Sequence, residues 1–463
     1  MLGLSLSKII NGTNLPLLCR EDVAFPIYSI VDSNENDHQK IIAELSSDVD
    51  LGIKEKRRKS FDLTAQLHAP PVVTSKLDSD FDTCRNELTS TITLSQFCVP
   101  FATENVDKMM PAQFDLIEQE LSSFASLFDE KKDNFRVVTF PNALCQQDER
   151  VNPSDITLTT HMSVNKVQRF VALAARWNGP ISVAVHITSM EDLRQFKSFL
   201  FATNLQYLGK VAFHFFFESQ HRAYPNNILR NLALDQVKSD YFALFDVDLL
   251  PSPMNTHQHL RSAFQKHPHL EDKLKNKTVF VLPAWEIKGE IPDEDVKIQH
   301  PLYPETREMA IQMNSEVENQ TLTVFHNGCF HGPTNYTKWK SNLKALHYPI
   351  KVQEYGYEPY IIGAIKDSKR FFKYFHGYGF DKQSYFVELH YARYSMEVLK
   401  DFFIFHINHP SSYGKEKKSN LEVNAVCKKF FCEHLAKEYG AGHLGKGREV
   451  PGWNKWMDNS FKM

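Results

Sequence analysis

The sequence predicts an α/β domain with a mainly parallel central sheet, preceded by a poorly structured N-terminal segment. Three observations carry this reading. From about residue 133 onward, short apolar runs alternate with amphipathic stretches of about a dozen residues, the pattern of repeated β-α units. Hydrophobic residues are 42% of the chain and charged residues 24%, enough to bury a substantial core. One apolar run ends in two carboxylates, Asp246 and Asp248, with a single residue between them.

The elements follow in order. Residues 1–132 are polar and weakly periodic, and are read as a stem or accessory segment. Their basic run, Lys54 to Lys59, is a solvated linker before it is an import or anion-binding patch. One helix is expected near Pro111 to Phe128, where Phe114, Ile117, Leu121, Phe124 and Leu127 recur at helical spacing. Residues 133–463 form the α/β domain. A strand is predicted from Ile156 to Thr160, then a helix from Val164 to Trp177 that Asn178-Gly179-Pro180 stops. Strand Ile181 to Ile187, helix Met190 to Ala202 and strand Val211 to Phe217 continue the alternation. The helix from Pro225 to Lys238 begins on a proline, where a missing N–H costs nothing. Strand Tyr241 to Phe245 runs into Asp246, helix Met254 to Phe264 follows, and strand Thr278 to Leu282 comes next. No repeat of solenoid period is present.

Composition also excludes functions. The net charge is only -3, without a global basic excess, which argues against a nucleic-acid partner. The seven cysteines include no C-x-x-C pair, so zinc ribbons and thioredoxin-type redox sites are unsupported. Cys427 and Cys432 fall on different faces of a predicted helix, a poor geometry for a shared metal. Sequons at Asn11, Asn276, Asn319 and Asn335 are compatible with a luminal protein. No stretch approaches the roughly 20 apolar residues of a membrane span, and the first residues make a poor signal peptide. Membrane association stays open, and the residues carry no signal for an oligomeric state.

The chemistry centres on Asp246-Val247-Asp248. Ligands of open α/β sheets bind at the carboxyl ends of strands, and the strand period sends both carboxylates to one side. Such a pair suits Mn2+ or Mg2+ shared with substrate phosphates, the ion acting as a Lewis acid on a departing diphosphate. The helix before this strand begins at the same sheet edge. On its first turn Asn227, Arg230 and Asn231 share a polar face, a good place for a diphosphate. The bland alternatives are an Asx-type turn and a solvent-facing polar stripe.

The run Tyr224-Pro225-x-Asn227-x-Leu229-Arg230-Asn231-x-Ala233, followed by Asp246-Val247-Asp248-x-Leu250-Pro251, resembles glycosyltransferase family 49, which includes the LARGE-type enzymes and the β-1,4-glucuronyltransferase. Further segments match in order: Pro283-Ala284-Trp285-Glu286, His331-Gly332-Pro333-Thr334-Asn335, Glu358-Pro359-Tyr360, Gly377-x-Gly379-Phe380-x-Lys382, Glu388-Leu389, and Phe405-His406 before His409. Thr159-Thr160-His161 and Gly179-Pro180-Ile181-Ser182 fit the family's first βα unit, so the resemblance covers about residues 133 to 440. Phe330 departs from it, standing where the family has Gly.

The resemblance implies a GT-A-like nucleotide-sugar-binding domain and an inverting, metal-dependent transferase. Its donor would be a UDP-sugar, glucuronate first, with UDP-xylose or UDP-GlcNAc as alternatives, and its acceptor a glycan or glycoprotein. A catalytically silent glycan-binding relative is the competing class. Metal ligands would be Asp246, Asp248 and His406, with His409 as runner-up. Donor contacts would come from His161, Asn227, Arg230, Asn231 and Asp246, with Thr160 beside His161. Inversion needs a carboxylate base, for which Glu358 is the first candidate and Glu286 the second. His331, Thr334 and Asn335 are candidate pocket residues, although a glycan on Asn335 would block that role. Trp285, Tyr355, Tyr357 and Tyr378 are candidate sugar platforms, each equally readable as core. The family resemblance places the protein in the Golgi lumen, although the family's N-terminal anchor is missing and the length suits one catalytic domain where LARGE-type proteins carry two.

Overall fold

The computed structural model describes residues 91–98, 136–142, 152–202, 211–218, 223–316, 320–328, 330–342, 344–351, 356–409 and 416–440. The helix expected near Pro111 to Phe128 lies outside them, as does Tyr355. Strands β1 (Thr91–Cys98) and β2 (Arg136–Asn142) pair in parallel. β1 therefore belongs to the central sheet although it lies within the segment read as a stem.

The predicted β-α alternation follows. β3 (Ile156–Ser163) leads through a 3-10 turn to α1 (Val167–Trp177), then β4 (Ile181–Ile187), α2 (Met190–Ala202) and β5 (Val211–Glu218). All seven residues of β4 are buried, as expected of a strand covered on both faces. Asn178 ends α1 in a left-handed conformation, its N–H donating to the Ala174 carbonyl. Gly179 is required next, because a β-carbon there would overlap the His257 ring. Pro225 caps α3 (Asn226–Asp235), which feeds β6 (Tyr241–Leu244). α3 is shorter than predicted, giving way to a turn at Gln236.

The remainder builds the far half of the sheet and a second sheet. In chain order come β7 (Leu249–Ser252), α4 (Thr256–Lys266), α5 (His269–Lys275), β8 (Thr278–Leu282), β9 (Ala284–Ile287), α6 (Arg307–Ser315), β10 (Leu322–Val324), α7 (Tyr336–Lys340), β11 (His347–Pro349), β12 (Tyr360–Ala364), α8 (Asp381–Tyr391), β13 (Ser395–Leu399), β14 (Phe403–Ile407) and α9 (Glu416–Tyr439). The ten-stranded sheet runs β1-β2-β5-β4-β3-β6-β12-β8-β13-β11, and the second runs β10-β9-β14-β7. The large sheet is more mixed than the alternation predicts. Its β5-β4-β3-β6 block is parallel, but β12 enters antiparallel to both β6 and β8.

One continuous core joins the two sheets, with Trp177, Trp285 and Trp339 fully buried. Burying Phe280 or Phe405 contributes about 2–3 kcal/mol each. Two fully buried arginines of α1 pin the second sheet to the first unit. Arg176 donates to the Pro251 carbonyl (2.9 Å) and forks onto Glu305 (2.8 and 3.0 Å). Arg169 donates to the carbonyls of Ile407 (2.6 Å) and Ile291 (2.9 Å) and pairs with Asp293. Buried guanidinium groups need such partners, and these fix the end of β14.

Candidate active site

The loop between β6 and β7 carries both carboxylates. The Leu249 N–H closes it onto the Asp246 carbonyl (3.1 Å), and the Ile407 N–H reaches the Asp248 carbonyl (3.1 Å). The loop is thus held at the junction of the two sheets. The two side chains have different partners.

Asp248 faces β14. Its Oδ2 lies 3.1 Å from His409 Nε2 and 3.4 Å from His406 Nε2. One ligand atom from each of these three residues falls within 4.8 Å of the others. β14 runs beside β9 with His406 opposite Glu286, so the two side chains share a face and His406 Nδ1 meets Glu286 Oε2 at 3.3 Å. Burial alone would raise the Asp248 carboxyl, but His406 and His409 outweigh it and hold it well below the usual range. The Glu286 carboxyl is also lowered, chiefly by the His406 hydrogen bond.

Asp246 faces fixed cations. Lys382 Nζ donates to its Oδ2 at 2.7 Å, the Tyr360 hydroxyl at 2.9 Å, and Arg230 Nη2 reaches Oδ1 at 3.3 Å. Against burial, Lys382 and Arg230 depress its carboxyl. Among the described residues the side chains whose ligand atoms converge are Asp248, His406 and His409; Asp246, the third residue of the expected set, is paired with Lys382 and Arg230. His161 Nε2 lies 3.8 Å from Asp246 Oδ1, while its Nδ1 meets the Tyr224 hydroxyl at 3.0 Å. Burial pushes the His161 imidazole down to about 3, so it is neutral.

The polar face expected to cradle a diphosphate is engaged within the fold. Arg230 is 3% exposed and bridges Asp381 (2.8 Å), Asn227 (3.0 Å) and Asp246. Asn227 is fully buried and donates to the Phe372 and Asp381 carbonyls. The Asn231 amide both donates to and accepts from the Phe371 backbone. The stripe that looks solvent-facing in the sequence is covered by residues 371–381, and all three side chains hydrogen-bond within the fold.

The first turn of α8 supplies Lys382 and Gln383. It is aimed by Gly377, Gly379 and Phe380, which all have positive φ (57°, 100° and 63°), and the two glycines take it without strain. Asn424 of α9, fully buried, grips this turn: its amide donates to the carbonyls of His376 (2.7 Å) and Gly379 (2.8 Å) and accepts from the His376 N–H (3.1 Å). Glu358 precedes β12. Its Oε1 accepts from Gln383 Nε2 (2.9 Å), and Lys382 Nζ stands 3.9 Å from Oε2. Burial pushes its carboxyl up to about 7, against the pull of Lys382.

Most of the remaining candidates are structural. Trp285 is fully buried against Tyr336 and Trp339. Tyr357 and Thr334 share a buried 2.9 Å hydrogen bond. Thr160 is buried, and Tyr378 is half-buried. Asn335 is exposed and caps α7 through the Lys338 N–H, which takes it out of the pocket. His331 is buried and stacks on Tyr360 at 18° and 6.1 Å. Lys382 and Tyr360 appear in the sequence only as letters of matching segments. Asp381, Gln383 and Asn424 carry no local signal.

The donor set of one carboxylate and two imidazoles fits a divalent metal ion. Asp248 thus faces two histidines at the end of β14 across a β-α-β scaffold, and the chain is of the glycosyltransferase class by the family match that follows. The chain belongs to glycosyltransferase family 49: the family described as "Glycosyl-transferase for dystroglycan" matches residues 155–223 and 217–440. It is 30% identical over 273 residues to the glycosyltransferase-like protein gnt14 of Dictyostelium discoideum, covering 57% of this chain and 39% of that protein. It is 29% identical over 301 residues to the xylosyl- and glucuronyltransferase LARGE2s of Danio rerio, covering 63% of this chain and 37% of that protein. The chain thus spans between 37% and 39% of the length of these two relatives. A solved structure of GalNAc-T7 with UDP, GalNAc and Mn2+ aligns at 10% identity over 67% of this chain and 55% of that one, with a TM-score of 0.35.

Proposed function

We propose that the chain is an inverting, metal-dependent glycosyltransferase that moves a sugar, glucuronate first, from a UDP-sugar to a glycan or glycoprotein acceptor. The observation that carries this reading is the convergence of Asp248, His406 and His409 at the loop after β6. These three would hold the ion, and the two imidazoles make an all-oxygen Mg2+ site a poorer match than Mn2+. When bound, the ion supplies Lewis-acid stabilisation of charge on the departing diphosphate. Glu286 orients His406 by accepting from Nδ1, the part an outer carboxylate plays toward a metal-binding imidazole. Asp246 stays on the donor side with neutral His161 beside it.

Glu358 is the base in this reading. A carboxyl poised near 7 takes a proton at neutral pH and gives it up again. Glu286 is engaged with His406 and its carboxyl is lowered, which makes it the weaker base. The acceptor hydroxyl loses its proton to Glu358 while the new bond forms at the sugar carbon and the bond to the diphosphate oxygen breaks.

UDP-xylose is the second donor to test, because the relatives named above include xylosyl- and glucuronyltransferases. A luminal site of action, in the Golgi as the family implies, agrees with exposed sequon asparagines at 276 and 335 and with the disulfide-bonded state of Cys427. Among the described residues no helix is long and apolar enough to cross a membrane. The test is UDP release from UDP-glucuronate, UDP-xylose and UDP-GlcNAc with Mn2+ and a glycan acceptor. Release from none of them would point to the catalytically silent, glycan-binding alternative.

A further inference from the structure

A base must pass through two protonation states in every turnover, and its neighbours must suit both. Glu358 has unusual neighbours in this respect. Its backbone N–H is fixed by the Phe330 carbonyl at 2.9 Å. Among the described residues, the one hydrogen-bond donor on its carboxylate is Gln383 Nε2, at 2.9 Å on Oε1. Lys382 is the nearest cation, but its Nζ is 3.9 Å away and is given instead to Asp246 (2.7 Å) and the Tyr360 hydroxyl (2.8 Å). The other charged groups are also committed: Asp381 of α8 is paired with Arg230 of α3. The Gln383 carbonyl oxygen is buried and has no hydrogen-bond partner.

We infer that Gln383 is a positioning residue for Glu358, an amide that serves the carboxylate as a donor and the protonated acid as an acceptor. A side-chain amide offers both functions at its tip, an NH2 that donates and a carbonyl oxygen that accepts. With Nε2 toward Glu358 it donates to the ionised form. Turned by half a rotation it presents Oε1, which accepts from the O–H that Glu358 gains from the acceptor hydroxyl. A lysine or arginine in this place would favour the ionised form alone and oppose the proton transfer. The unpartnered Oε1 is the acceptor kept for that second state, and its burial keeps water from filling the role.

This inference rests on the reading of Glu358 as the base. The test uses Gln383→Met, which keeps the length and removes the hydrogen bond, and Gln383→Glu, which puts a second carboxyl beside the first. Turnover with Mn2+ and the active UDP-sugar is followed across neutral pH, and the Glu358 carboxyl is titrated directly by infrared difference against Glu358→Gln, without metal or donor. The bond to the carboxylate is charge-assisted and the stronger of the two, so Gln383→Met should move the acidic limb and the carboxyl titration upward by up to about one pH unit and leave donor KM unchanged. Gln383→Glu should move both further, because two adjacent carboxyls share a proton. Should Gln383→Met fail to fold, the near-isosteric Gln383→Glu decides. Limb and titration unmoved in the variants that fold would overturn the inference. If Glu358→Gln retains turnover, the base reading itself is wrong. If it abolishes turnover while the Gln383 variants titrate like the parent chain, only the role of Gln383 is lost.

Discussion

Asp246 and Asp248 sit on one short loop, yet their partners differ in kind. Asp248 meets two imidazoles, at 3.1 and 3.4 Å, while Asp246 meets an ammonium at 2.7 Å and a guanidinium at 3.3 Å. An imidazole can surrender its proton and offer the same nitrogen to a metal ion, whereas lysine and arginine keep their charge. The Asp248 half can therefore exchange a proton for a cation. The Asp246 half is already neutralised and braces α3 and α8 against the loop. Substitutions in the first half should cost ion binding and turnover, and substitutions in the second should cost folding.

The widest split is expected from Asp248→Asn. Turnover should fall by about 1000-fold and Mn2+ should no longer raise the melting temperature, with little change in the stability of the metal-free chain. Calorimetric titration with Mn2+ checks the first part and thermal unfolding the second. His406→Ala should lower Mn2+ affinity and turnover together by about 100-fold, and metal titration matching the parent chain would remove His406 from the ligand set. Glu358→Gln should cost about 100-fold or more in turnover while UDP-sugar binding persists. In the parent chain the acidic limb should lie near pH 7, with the rate rising with pH as the carboxylate forms. Glu286→Gln should be milder, about 10-fold to 100-fold in Mn2+ affinity or activity, without displacing that limb.

Arg230→Met should change turnover per folded molecule least and stability most. It takes the paired cation from the buried Asp381 carboxylate and leaves Asn226 as its remaining side-chain donor, a loss of about 3–5 kcal/mol measurable by urea unfolding. The Asp381 carboxyl is depressed because Arg230 outweighs burial. Its stabilisation is therefore complete above the unfolded carboxyl range, about pH 4, and is lost as the pH falls through the lower folded value. The gap between parent and variant should narrow in acid.

The parts legible in the sequence were those with strong periodicity and nearby partners. Strand Ile181–Ile187 and helix Met190–Ala202 begin and end where their apolar spacing says. The second sheet was hidden because its strands have three to five residues each and come from distant parts of the chain. Glu286 and His406 become neighbours only through the register of β9 and β14, across 120 positions. The partners of Asn227 and Asn231 were hidden for a related reason. Their polar stripe reads as open to ligand, and only residues 371–381, far along the chain, cover it. The carboxylate pair was visible, but not its division, because the alternation of a strand stops where the chain turns.

Asn424 belongs to a helix from which, among the described residues, no side chain contacts the convergent ion-binding groups or Glu358, yet it holds the turn that delivers Lys382 and Gln383. The tail of the domain thus acts as a latch for its chemistry. A shortened protein lacking α9 could retain both sheets and the three convergent ion-binding side chains and still be inert. An Asn424→Ala variant would look innocent on any map of the catalytic residues. Its damage would be read in the aim of α8.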